Sequence, residues 1–152
     1  MVTVLVRKAR REDAEAMGRA HVASATAAYG REEDLDRRTQ RWRDAFGEPE
    51  SRPHLAEVDG EVVGVVSVGP SELHAIYVRP DWWGQGVGQT LLDKAHELLA
   101  ETCDEAELTV LVGNGRARRF YELNGWRFVE QVVEQHFGGQ PTEVCKYRRR
   151  LR

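Results

Sequence analysis

The chain has 152 residues, of which 41% are apolar and 31% charged, and its formal net charge is −3. That length buries a core without metals or disulfides, and one domain spanning residues 1–152 is expected. The slightly negative balance excludes nucleic acid as the main partner, because phosphate neutralisation needs a broad basic face, and no apolar run is long enough to span a membrane.

Residues 2–7 (VTVLVR) alternate and read as a first strand, not as a leader with an apolar centre. Ala14, Met17, His21, Val22 and Ala25 recur at helical spacing and predict a helix over 12–29, stopped by Gly30. A second helix over 35–46 carries Trp42 and Phe46 on one apolar edge of an otherwise charged surface. Residues 54–58 and 62–68 flank Asp59-Gly60, a strong hairpin turn signal, and 72–78 is a further strand. A glycine-rich loop then opens into a helix over 89–101. The remaining elements are a strand at 107–112, a short helix at 116–123, and two strands, 127–137 and 142–149, joined at Gly138-Gly139. This order predicts an α/β (α+β) fold: a mixed, mostly antiparallel sheet of about seven strands flanked by about four helices. Cys103 and Cys145 lack CxxC spacing and a His cluster, so no metal site or disulfide framework is expected, and a reducing, cytoplasmic setting is the default.

The loop places Gly84, Gly86 and Gly88 between a strand and a helix. Backbone N–H groups at such a helix start attract anions, and glycine lets a pyrophosphate approach. A dinucleotide fingerprint would need glycine at 89, where Gln89 stands, and a P-loop would need GK[ST], which is absent. An anion cradle of another kind and a plain tight turn both remain open on the loop alone.

Residues 73–92 (LHAIYVRPDWWGQGVGQTLL) resemble the cofactor segment of the GNAT superfamily of N-acetyltransferases, and 108–128 (LTVLVGNGRARRFYELNGWRF) resemble its second signature. The resemblance implies the GNAT fold and acetyl-CoA as acyl donor, with no metal. It places Gly84, Gln85, Gly86, Val87, Gly88 and Gln89 around the pyrophosphate, with Thr90 following. The strand edge Ile76, Tyr77 and Val78 would hydrogen-bond the pantetheine arm as an added strand. Asn114 corresponds to the asparagine beside the pantetheine, although its type also suits a helix cap. Arg116, Arg118 and Arg119 form a basic face, from which Arg119 is the expected phosphate contact. One departure stands out: Trp83 occupies the place of the family's first Gln or Arg.

By the same resemblance the reaction is direct attack by an amine on the thioester, without an acyl-enzyme, so neither cysteine is needed. Tyr121 corresponds to the tyrosine near the sulfur, which donates a proton or hydrogen bond to the departing thiolate. Members that acetylate protein N-termini carry Glu where this chain has Thr109, and threonine is no base at neutral pH. Histone-type members place a catalytic Glu where Glu72 stands. Strand alternation predicts Glu72, His74, Ile76 and Val78 on one face, where Glu72 and His74 together could order a water. The expected acceptor is a small-molecule or peptide amine, entering opposite the coenzyme past His21, Tyr29, Trp42, Gln135 and His136. The acidic run Glu32-Glu33-Asp34 with Asp36 could attract a cationic amine or be a solvated surface. A non-catalytic acyl-CoA-binding module of the same fold is the alternative. Pairing of the last strands into a homodimer is open.

Overall fold

The computed structural model describes residues 3–30, 33–136 and 140–152; Val2, Glu32, Phe137 and the Gly138-Gly139 joint lie outside the described residues. The elements run β1 (Leu5–Lys8), α1 (Ala14–Tyr29), α2 (Leu35–Ala45), β2 (Arg52–Val58), β3 (Glu61–Val68), β4 (Glu72–Val78), α3 (Val87–Ala100), β5 (Glu105–Leu111), α4 (Gly115–Leu123), β6 (Arg127–His136) and β7 (Gln140–Arg150). The seven strands make one mixed sheet in the order β1-β2-β3-β4-β5-β7-β6, flanked by the four helices, as the sequence predicts. Every neighbouring pair is antiparallel except β4 with β5.

The local chemistry explains most of the boundaries. Asp59 (φ 51°) and Gly60 (φ 81°) both adopt left-handed backbone, which a type I′ hairpin turn requires between β2 and β3. Asp34 caps α2 by accepting from the Arg37 N–H at 3.2 Å. Gly86 caps α3 at φ 85°, so this helix starts at Val87, two residues before the predicted Gln89, and Gly88 falls inside its first turn.

Each face of the sheet carries its own core. On one, Val87, Leu91, Leu92, Ala95, Leu98 and Leu99 of α3 pack against Val66, Val68, Leu73 and Val78. On the other, Met17 and Ala20 of α1 and Trp42 of α2 cover Leu55 and Val65, with Tyr77 packed alongside. Fully burying each such aliphatic side chain contributes about 1.5–3 kcal/mol, so α3 is held firmly against the sheet.

The middle of the sheet is less regular. Along β3 and β4 the register passes from Ser67↔Ala75 to Val68↔Leu73, which leaves His74 as the extra residue of a β-bulge. The bulge breaks the alternation, so the expected sharing of one face by Glu72, His74, Ile76 and Val78 does not hold. Leu73, Ile76 and Val78 belong to the α3-side core, while Glu72 and His74 are exposed. The parallel ladder of β4 with β5 consists of Glu72↔Glu107 and Leu73↔Leu108 and then ends. Beyond that apex the two strands diverge, and residues 75–78 of β4 have no ladder partner on β5.

Gly64 lets α3 lie close to the sheet at this point. A Cβ there would stand 2.9 Å from Leu91 Cδ1, 3.2 Å from the Tyr77 carbonyl oxygen and 3.3 Å from Val87 Cγ1. Gly64→Ala is therefore expected to destabilise the fold by about 1–3 kcal/mol through overpacking, seen as a lower midpoint in urea at unchanged slope.

Candidate active site

The split between β4 and β5 is bounded by three elements. The 83–86 loop and the first turn of α3 close one end, and α4 leaves the tip of β5 to form the opposite wall. Gly84 (φ 77°) and Gly86 take left-handed backbone, and a Cβ on either would meet nothing within 4 Å. The N–H groups of Val87, Gly88 and Gln89 belong to the first turn of α3, where an α-helix offers no intrahelical acceptor. Thr90 closes that turn instead, its N–H and Oγ1 both donating to the Gly86 carbonyl at 3.0 and 2.9 Å. Gln85 donates to the Asp81 carbonyl, and Gln89 donates to Asp93 and to Asn124 just beyond α4.

Asn114 caps α4 and does more. Its Oδ1 accepts from the Ala117 N–H at 3.2 Å, which orients the amide so that Nδ2 donates to Tyr29 Oη at 2.9 Å. The end of α1 is thus tied to the start of α4 across the split. Tyr121 follows two turns later, half-buried, with its ring against Phe120 (5.5 Å) and Trp126 (6.2 Å). Burial, reinforced by the neighbouring Tyr77 and Tyr29, holds its phenol well above the usual range and therefore protonated at neutral pH. Among the described residues its hydroxyl has no hydrogen-bond partner, and it is open to solvent.

Three arginines start α4 and differ in their ties. Arg118 donates to Tyr147 Oη and the Val112 carbonyl, a structural engagement. Arg119 is exposed. Arg116 places its guanidinium carbon 3.8 Å from the centroid of the Trp83 ring. The Trp83 indole itself donates to the Val78 carbonyl at 2.8 Å, fixing the ring at the end of β4. Glu72 and His74 lie at the apex, with Nε2 and Oε2 3.7 Å apart and both side chains about half exposed.

On the opposite face, His21 stacks on Tyr77 at 3.8 Å and stands edge-on to Trp42. His21, Thr39 and Trp42 are all more than 90% buried, which removes His21 and Trp42 from the expected acceptor lining and leaves Tyr29 there, 38% exposed. Gln135 is exposed, and the side chain of His136 lies outside the described residues. Of the acidic run, Glu33 is held by Arg38 at 2.8 Å and Asp34 is used as a cap. The pairing of Trp83 with Arg116, the bulge at His74 and the Asn114–Tyr29 bond were not foreseen. The one sequence signal pointing at the first was the unusual residue at position 83.

Residues 14–126 match the model of the acetyltransferase (GNAT) family. The chain belongs to the GNAT family. It is 33% identical over 135 residues to an uncharacterized N-acetyltransferase of Archaeoglobus fulgidus, covering 76% of this chain and 88% of that one. Two solved structures share the GNAT fold at 18% identity. The PaiA N-acetyltransferase of Thermoplasma acidophilum, in complex with coenzyme A, superposes with a TM-score of 0.75 over 97% of this chain and 99% of that one. YncA of Salmonella typhimurium, with its cofactor acetyl-CoA, does so with a TM-score of 0.70 over 98% of this chain and 94% of that one.

Two imidazoles in this GNAT domain are held neutral. Burial, with Arg38 nearby, lowers the pKa of His21 to about 3. Burial, with Arg149 nearby, lowers that of His96 to about 4, and His96 Nε2 accepts from the Trp126 indole at 3.1 Å. Unfolded imidazoles protonate near 6.5, so the stability from both groups is complete above about pH 6.5 and is lost as the pH falls toward about 4 and then 3. Denaturant midpoints should drop across that window, and His96→Gln, whose amide oxygen still accepts from Trp126, should flatten the decline.

Proposed function

We propose that this chain transfers an acetyl group from acetyl-CoA to an amine by direct attack in a ternary complex. The observation that carries this reading is the Tyr121 hydroxyl, without a partner among the described residues and on the wall of the split. The proposed path runs from the helix-start amides of Val87, Gly88 and Gln89, which take the pyrophosphate, along the unpaired edge of β4 at Ile76, Tyr77 and Val78. That edge offers the pantetheine amides the hydrogen bonds that β5 does not, save at the Val78 carbonyl, which accepts from the Trp83 indole.

In this reading the Tyr121 phenol supports the departing thiolate by donating its proton or a hydrogen bond. The Asn114–Tyr29 bond sets the width of the split where the amine meets the thioester. Glu72 and His74, brought together at the apex by the bulge, are assigned to ordering the water that takes the proton of the ammonium.

Tyr121→Phe is expected to lower turnover by one to three orders of magnitude while coenzyme affinity, measured by calorimetry, stays within a few fold. An unchanged rate would remove Tyr121 from the mechanism. For the apex pair, His74→Ala should lower kcat while coenzyme affinity stays within a few fold; an unchanged kcat would leave His74 a bystander.

A further inference from the structure

The cradle around the glycine loop carries no cation of its own. Residues 82–88 contain no Lys or Arg, and the nearest ones on that side are committed: Arg79 pairs with Glu61 and Asp81, and Lys94 with Glu97. A pyrophosphate or phosphomonoester bound on helix-start amides alone would keep most of its charge uncompensated. Meanwhile the first turn of α4 holds Arg116, Arg118 and Arg119 and no acidic residue, so cations crowd the positive end of a helix dipole. That arrangement is unfavourable until an anion arrives.

Only one of the three is aimed at the cradle by a defined contact. Arg118 is spent on Tyr147 and Val112. Arg116 begins a stripe, at helical spacing, that lies along the loop and α3. It stacks on Trp83, Phe120 would lie 3.8 Å from a Cβ on Gly88, and Asn124 accepts from Gln89. The Trp83 ring is fixed from below by its bond to the Val78 carbonyl, so the guanidinium rests on a rigid plate beside the free amides. Planar stacking on an aromatic face leaves the N–H fork of arginine free to donate outward, which a lysine could not reproduce.

We propose that Trp83 exists at this position as the platform for Arg116, and that Arg116, delivered from α4, is the residue that neutralises a phosphate of the coenzyme. With Trp83 at the family's Gln or Arg position, the positive charge comes instead from α4. This assigns the phosphate role to Arg116 in place of the expected Arg119, and it rests on the acetyl-CoA reading given above. The phosphate is either the pyrophosphate or the ribose 3′-phosphate.

The test measures binding to the full chain of acetyl-CoA, 3′-dephospho-acetyl-CoA and phosphate-free acetyl-pantetheine, the last by competition. Arg116→Ala should weaken acetyl-CoA at least tenfold and leave acetyl-pantetheine within twofold, while Arg119→Ala changes acetyl-CoA less than threefold. Loss of the Arg116→Ala defect with the 3′-dephospho compound assigns the 3′-phosphate; its persistence assigns the pyrophosphate. Trp83→Phe, which keeps an aromatic face but loses the bond to the Val78 carbonyl, should weaken acetyl-CoA less than Trp83→Leu. Trp83→Leu should weaken acetyl-CoA severalfold, and adding it to Arg116→Ala should cost nothing more. Arg116→Lys, which disturbs folding least, should recover only part of the affinity. Equal weakening of acetyl-pantetheine, or an Arg116→Ala protein that binds acetyl-CoA like wild type, would overturn the proposal. Wild-type protein that binds no acetyl-CoA at all would instead overturn the functional reading beneath it.

Discussion

The fold depends on a ladder that stops early. Between β4 and β5 only two residue pairs are joined, Glu72↔Glu107 and Leu73↔Leu108, and the sheet opens beyond them. An open edge in the middle of a sheet leaves backbone donors and acceptors without partners, which folded proteins tolerate poorly. The surrounding structure is arranged to hold that opening at a set width. The core under α3 fixes β4, the long β6–β7 hairpin fixes β5, and α4 bridges the two halves.

The bridging is done by side chains of one helical turn. Asn114 reaches Tyr29 on the α1 side, and Arg116 reaches Trp83 on the loop side. Both come from the start of α4, which the capping geometry of Asn114 places directly after β5. The opening is thus enclosed by polar and aromatic contacts, which a ligand can adjust more readily than a packed aliphatic core.

Much of this was legible in the residues, and what was not has a physical reason. The Asp59-Gly60 turn and the β4 boundaries are local properties of short segments, and they came out as expected. The start of α3 was read two residues late because Gly86 and Gly88 look alike in sequence, yet only Gly86 has the left-handed backbone of a cap. The bulge at His74 was invisible, since an extra residue is defined by the pairing of β4 with β3, not by β4 itself. For the same reason Glu72 and His74 left the face on which alternation had put them. The family signature located Tyr121 and Asn114 in the chain, but that the Tyr121 hydroxyl lacks a protein partner while both ends of the Asn114 amide are engaged could be learned only from the folded arrangement. His21 and Trp42, expected beside the acceptor, were drawn into the core by the close approach of α1 and α2 at Gly18 and Thr39.

The doubly engaged amide of Asn114 carries a thermodynamic consequence. One of its ends caps α4, and the other holds Tyr29 at the end of α1. A ligand that shifts Tyr29 thereby changes the free energy of the cap on α4, and one that shifts α4 changes the hold on Tyr29. Linkage makes the two effects equal: whatever factor one ligand imposes on the affinity of the other is returned in full. A single carboxamide in this way couples the end of α1 to the start of α4.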